Sequence, residues 1–186
     1  AFNGCMSIKE LTIPSSITSL GSYCFSKCSG LEKLIVPISF GAYNYYNFSN
    51  VNSIKQIYFT KGTGAGYNYS NSNYTSTPWY ISRGNTIVVT FEEGITNIGN
   101  YMFCNCTGIK TVNFPNSVTT IGEYAFDSAG VESIILPPNL NSLGKYALSK
   151  TKIKSIEFPN GIKEIREGCF YECTNLTSIK NLDIST

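Results

Sequence analysis

Seven cysteines, Cys5, Cys24, Cys28, Cys104, Cys106, Cys169 and Cys173, are the side chains of this 186-residue sequence best suited to chemistry. Thiolates bind soft metal ions and exchange disulfides. The spacings CxxxC at 24 and 28, CxC at 104 and 106, and CxxxC at 169 and 173 have the form of zinc half-sites. The chain has no histidine, which removes both the commonest zinc ligand and the commonest general base. A nucleophile would have to rely on lysine or a carboxylate. The carboxylates, such as Glu92 with Glu93 and Glu164 with Glu167, fall where solvated turns are expected. Gly62-Thr63-Gly64-Ala65-Gly66 shares only its glycines with a phosphate-cradling loop and lacks the GK[ST] that would follow. No catalytic, cofactor or metal site emerges, and the chain reads as a non-enzyme.

Composition narrows the classes further. Fourteen basic against twelve acidic residues give a formal net charge of +2, and charged residues make up 14% of the chain, so nothing steers a nucleic acid. A hydrophobic fraction of 42%, with 13 Tyr and 11 Phe, is ample for a packed core. No apolar run approaches the ~18 residues of a membrane-spanning helix, so direct membrane insertion of this segment is not expected. The opening Ala1-Phe2-Asn3-Gly4 has neither the basic nor the apolar region of a signal peptide.

The elements that position these residues repeat. Ile17-Thr-Ser-Leu20-Gly21, Ile95-Thr-Asn-Ile98-Gly99, Val118-Thr-Thr-Ile121-Gly122, Leu140-Asn-Ser-Leu143-Gly144 and Ile162-Lys-Glu-Ile165-Arg166 are copies of one motif, the last four stepping by 23, 22 and 22 residues. Each is followed by a short segment such as Tyr101-Met102-Phe103 or Tyr124-Ala125-Phe126. Three residues past the Phe position stand Cys28, Cys106, Ala129, Thr151 or Cys173. Strand-like blocks closed by proline come next, at Leu31 to Pro37, Ile109 to Pro115, Val131 to Pro137 and Ile153 to Pro159. Alternation within them, Val112 and Phe114 against Thr111 and Asn113, is the period of a strand with one buried face. Proline has no N–H for the ladder and stops it.

A unit of this size cannot bury its own apolar face, so neighbours must stack around a shared core. Residues 1–186 therefore form one solenoid. Parallel strands line one face; turns, short strands or short helical segments, with no choice among them, form the other. The inward column runs Ile13, Val36, Phe59, Phe91, Phe114, Leu136, Phe158, Asn181, with one step of 32 where a Tyr/Asn/Gly-rich insertion stands at about 61–85. That insertion is expected to protrude as a loop, with Pro78-Trp79-Tyr80 folded back onto the solenoid. The preceding stretch, Ser39 to Asn50, is also irregular. Ala1 to Cys5 is the tail of a unit, and the chain stops shortly after a strand, so we expect a piece of a longer array whose end faces are covered by capping units.

Written as IxxIGxYAFxxCxxLxxLxLPxx, the repeat resembles the BspA-like class of leucine-rich repeats over nearly the whole chain. Ile17 to Pro37, Ile95 to Pro115 and Val118 to Pro137 match best, while Leu148, Ala129, Thr151 and Arg166 depart at single positions. The segment ending in Thr77-Pro78-Trp79-Tyr80 and followed by Glu92-Glu93-Gly94 is similar to one that recurs in such proteins. The resemblance implies a right-handed leucine-rich-repeat superhelix and a surface-exposed or secreted protein that binds host matrix or cell-surface protein. It carries over no site residues.

Stacking also resolves the cysteines. Cys5, Cys28, Cys106 and Cys173 share one column and read as small buried hydrophobes, and the half-sites lie too many repeats apart along a rod to share an ion. Cys5 and Cys28 are in adjacent repeats, where one bridge is open to them; Cys104 falls off the column and is expected to be the exposed thiol. The candidate binding face is the outward row: Lys33, Ile35, Gln56, Tyr58, Val88, Thr90, Thr111, Asn113, Ser133, Ile135, Ser155 and Glu157. Against it stands the plain reading that these are good strand formers. A second candidate lies in the aromatics of the insertion, Tyr67, Tyr69, Tyr74, Trp79 and Tyr80. They would give contact area to a protein or stack on a glycan, or else pack on the solenoid itself. Asn47, Asn68, Asn73, Asn105 and Asn175 begin N-x-[ST] sequons, which Asn abundance alone would produce. The alternative to binding is a spacer within a larger surface protein.

Overall fold

A computed structural model of the chain describes residues 1–41, 45–62, 65–70, 78–81 and 85–182. Its strands are β1 (Glu10–Thr12), β2 (Lys33–Pro37), β3 (Gln56–Thr60), β4 (Ile87–Phe91), β5 (Asn97–Ile98), β6 (Ile109–Asn113), β7 (Thr120–Ile121), β8 (Ser142–Leu143), β9 (Ser155–Glu157) and β10 (Ser178–Lys180). A 3-10 turn at Tyr45–Phe48 and one helical turn, α1 (Pro78–Ile81), are the helical elements among the described residues. The fold is a parallel-strand solenoid with almost no helix.

One wall is the expected row of strands. The order β1-β2-β3-β4-β6 is parallel throughout, with Val36 opposite Phe59 and Phe59 opposite Phe91. The register thus spans the step of 32. Every second side chain points inward because the pleat alternates, and these are the residues that vanish from solvent: Leu34, Val36, Ile57, Phe59 and Val89 are buried. The rings of Phe59, Phe91 and Phe114 stack in file, with centroids 5.2 and 5.6 Å apart.

The opposite wall combines two of the forms left open by the sequence. In the IxxIG motif β5, β7 and β8 are two-residue strands that pair in parallel. Glycine follows because the preceding repeat comes too close for a side chain: a Cβ on Gly144 would lie 2.5 Å from the Glu123 nitrogen and the Gly122 carbonyl carbon. The YAFxxC segment is then a run of tight turns. Cys104 N–H bonds Tyr101 O at 3.2 Å and Cys106 N–H bonds Phe103 O at 3.1 Å, and the intervening N–H groups reach the next repeat. Phe103 N–H donates to Ala125 O at 2.7 Å, Phe126 N–H to Ala147 O at 2.9 Å and Leu148 N–H to Cys169 O at 3.0 Å.

These turns place non-glycine residues in the left-handed region at two fixed positions per repeat. Tyr101, Tyr124 and Tyr146 have φ of 54, 53 and 54°, and Asn105, Ser128 and Lys150 have 58, 56 and 55°. Such a conformation costs about 1–2 kcal/mol per L-residue. Inter-repeat hydrogen bonds and ring stacking offset it, with Tyr101 on Tyr124 at 4.8 Å and Tyr124 on Tyr146 at 5.0 Å.

Two expectations need correction. The block Val131 to Pro137 joins neither sheet: the first ladder ends at β6 and a separate one pairs β9 with β10. Its unit and the next have one residue fewer before the strand, Ala129-Gly130-Val131 and Thr151-Lys152-Ile153 against Cys106-Thr107-Gly108-Ile109. The shortened turn delivers the chain to the strand row out of ladder register, and only Lys152 N–H to Val131 O, 2.9 Å, links the two units there. Cys104, expected to be exposed, is 4% exposed and sits by the Asp127 carboxylate, its Sγ 3.7 Å from Oδ2; Cys5 is the exposed thiol.

Candidate binding face

Register brings eight of the twelve outward residues into two rows. Lys33, Gln56, Val88 and Thr111 stand side by side, as do Ile35, Tyr58, Thr90 and Asn113. Adjacent strands lie ~4.8 Å apart, so the rows form a flat, closely ruled surface. Asn113 Nδ2 donates to Thr90 Oγ1 at 3.1 Å, fixing one rung. Ile35, Tyr58, Val88 and Thr90 are half-buried by their neighbours, while Gln56, Thr111 and Asn113 are exposed. Ser133 and Ile135 lie beyond the end of this ladder, with Ile135 85% exposed. Ser155 and Glu157 belong to the second ladder, opposite Ser178 and Lys180.

The face carries a charge pattern that single residues did not reveal. At the strand starts Lys9, Glu32 and Lys55 alternate in one column, with N–O distances of 3.9 and 3.2 Å, and Lys33 bonds Glu10 at 3.0 Å. Lys110 meets Glu132 at 3.4 Å in the same manner. Each pair contributes little, roughly 0–1 kcal/mol, but with four lysines against three glutamates they leave this edge close to neutral. Tabulating charges by repeat column would have exposed the alternation.

The second candidate divides. Trp79 is fully buried, donates from Nε1 to Met102 O at 2.6 Å, and packs edge-on to Phe59 at 5.2 Å. Tyr69 is buried beside it, and burial pushes its phenol pKa upward. Neither ring can contact a ligand. Tyr67 remains 38% exposed and Tyr80 is half-buried; Tyr74 lies outside the described residues. The stretch 65–69 does not protrude: Ala65 bridges to Asn97, and Tyr69 N–H bonds Asn100 O at 2.9 Å.

Titratable groups are dispersed. Among the described residues no three of His, Cys, Asp or Glu stand close enough to hold a metal ion. Glu92 accepts from the Lys61 backbone N–H, Glu164 pairs with Arg166 and Glu167 with Lys145. Burial, with the Asp127 carboxylate second, pushes the Cys104 thiol up to about 12, and burial pushes Cys169 up to about 12. Both stay protonated at neutral pH and are poor nucleophiles. Of the sequon asparagines, Asn47 is buried with its Nδ2 on Gly21 O at 2.9 Å; Asn73 lies outside the described residues. No helix among the described residues is long and apolar enough to cross a membrane.

Comparison with known proteins agrees with this architecture. The family model described as BspA type Leucine rich repeat region matches residues 1–79 and 79–185 in six copies. The chain is similar to a leucine-rich repeat protein of Bacteroides ovatus, with 27% identity and a TM-score of 0.51 over 96% of this chain and 50% of that one. It is also similar in fold to a leucine-rich repeat protein of Eubacterium ventriosum, with 18% identity and a TM-score of 0.51 over 86% of this chain and 47% of that one. The chain thus spans about half the length of either solved protein. No curated protein matches it in sequence.

Proposed function

Because the chain belongs to the BspA-type leucine-rich repeat family, we propose that it is a non-enzymatic binding module, displayed at a cell surface or secreted, whose strand face adheres to another protein. One observation carries this reading: the two four-residue rows, Lys33 to Thr111 and Ile35 to Asn113, make a continuous and nearly uncharged surface. Protein interfaces are depleted of charge at their centre and enriched in aromatic side chains. Tyr58 at the middle of the second row, flanked by Ile35 and Thr90, meets that description.

The test is binding of the purified chain to immobilised extracellular-matrix proteins and to glycans, measured by interferometry. An Ile35→Asp/Tyr58→Asp/Thr90→Asp variant is compared with wild type after circular dichroism has shown the same fold. Wild type should bind at least one protein, and the variant should lose tenfold or more. Equal binding by the variant would remove the face from consideration. No binding by either would favour a spacer role, and glycan-only binding would favour a carbohydrate ligand.

A further inference from the structure

The turn wall sets side chains at equivalent positions of adjacent units against one another. Thr151 Oγ1 and Cys173 Sγ are 3.3 Å apart, Cys104 Sγ and Asp127 Oδ2 3.7 Å, and Cys24 Sγ and Asn47 Nδ2 3.9 Å. Cys5 and Cys28 are a pair of the same kind, one unit apart along the chain. In this pair cysteine meets cysteine. Asn47, Asp127 and Thr151 face the three cysteines just given, and alanine holds the equivalent position next to Cys106 and Cys169, at Ala129 and Ala147.

The two units are held in close register. Phe2 N–H donates to Cys24 O at 2.7 Å and Gly4 N–H to Ser26 O at 2.8 Å, while the rings of Phe2 and Phe25 stack at 5.4 Å. A unit spacing of that size lies within the roughly 4.4–6.8 Å that a disulfide spans between Cα atoms. Cys28 Sγ points back toward the first unit and donates to Phe2 O at 3.2 Å. The Thr151–Cys173 pair has the same layout, with Thr151 Oγ1 and Cys173 Sγ both donating to Leu148 O, at 2.8 and 3.1 Å. Leu148 stands to Thr151 as Phe2 stands to Cys5, so a Cys5 rotamer like that of Thr151 brings its sulfur onto that of Cys28. Cys24 faces the other way, toward Asn47 of the following unit.

We propose that Cys5 and Cys28, both free thiols in this structure, close to a disulfide on meeting a small disulfide oxidant such as glutathione disulfide, stapling the unit of β1 to the unit of β2. Cys5 is exposed and Cys28 buried, so the Cys5 thiolate attacks the oxidant first, forming a mixed disulfide and releasing one thiolate. Cys28 then loses its proton to solvent, attacks the Cys5 sulfur and displaces the second thiolate. Two cysteine thiols are oxidised and one disulfide is reduced to two thiols. Burial pushes the Cys28 thiol upward, which makes this second step the slower one. The bond restricts the unfolded chain and holds β1, whose Glu10 and Thr12 abut Lys33 and Ile35 at the end of the binding rows. The staple does not depend on what those rows bind.

Peptide mapping of the whole chain tests the pair, because trypsin cuts after Lys9, Lys27 and Lys33 and leaves Cys5, Cys24 and Cys28 on three different peptides. Reduced protein is incubated with glutathione disulfide at pH 8, capped with iodoacetamide and digested. The expected product is residues 1–9 linked to residues 28–33. Cys24→Ala should form it equally, and Cys28→Ala should instead retain a glutathione adduct on Cys5. Native uptake of iodoacetamide should fall from one equivalent to none and return after dithiothreitol. The Ile13 amide, which donates across the two units to Ile35 O at 2.8 Å, should exchange at least tenfold more slowly in the oxidised than in the reduced protein, with Val89 unchanged. A link from residues 10–27 to either neighbour, a glutathione adduct that persists on Cys5 of the wild type, or equal Ile13 exchange in the two states would each overturn the staple.

Discussion

At the scale of single residues, burial rather than residue type decides reactivity. Cys5 alone is exposed among the seven thiols, so native protein treated with iodoacetamide at pH 8 should take up one equivalent by intact mass, and seven after denaturation. Two or more in the native state would contradict the buried columns. The thiols of Cys104 and Cys169 also tie stability to alkali. Their folded values, about 12, lie above the ordinary value of 9.0, so between these limits the unfolded chain releases protons that the folded one keeps. Stability should hold below pH 9 and fall as pH climbs toward 12. Denaturant midpoints across that range should show the decline, with a shallower slope in Cys104→Ala/Cys169→Ala. Left-handed residues offer a second check. Lys27 is exposed with φ of 58°, so Lys27→Gly should be neutral or stabilising by up to ~1 kcal/mol, and Lys27→Val should destabilise by ~1 kcal/mol or more. Opposite signs in urea melts would contradict the turn geometry.

At the scale of elements, the contrast lies between features written locally and features created by stacking. The strand wall was legible because alternation and a closing proline are local signals, and Leu34, Val36, Ile57 and Phe59 fall inward where the period places them. The turn wall was not. Nothing about a tyrosine forecasts φ near +54°; that conformation exists because the next repeat accepts its N–H and the next tyrosine stacks on its ring. Composition also misled in the insertion, where Tyr69 and Trp79 look like surface aromatics among Asn, Ser and Gly yet fill the core beside Phe103. The 22-residue steps were countable, but their effect on the ladder depends on the neighbour's register. The glycine of IxxIG did carry its meaning in place. Gly144→Ala should cost roughly 1–3 kcal/mol by overpacking against Gly122 and Glu123, read as a lower urea midpoint at unchanged slope.

At the scale of the molecule, stability should be greatest in the middle. β3 has a strand on either side, whereas β1 and β10 each have one, and large apolar side chains are exposed at both ends, among them Phe2, Met6, Ile179 and Leu182. Opening from the ends is the expected low-energy fluctuation of a linear array, so amides of β1 and β10 should exchange well before those of β3. The central claim beneath every functional statement is that successive repeats stack in file, so that outward positions one repeat apart are neighbours. Spin labels report this directly: in a Cys5→Ser background, Glu10→Cys is paired in turn with Thr111→Cys, Ser155→Cys and Ser178→Cys, of which Thr111 lies four ladder rungs away and the other two six and seven repeats away. At ~4.8 Å per strand, electron–electron distances should climb in near-linear order to about 19, 29 and 34 Å. Distances that cluster together or fail to rise with rung number would mean that the repeats do not share one continuous interior.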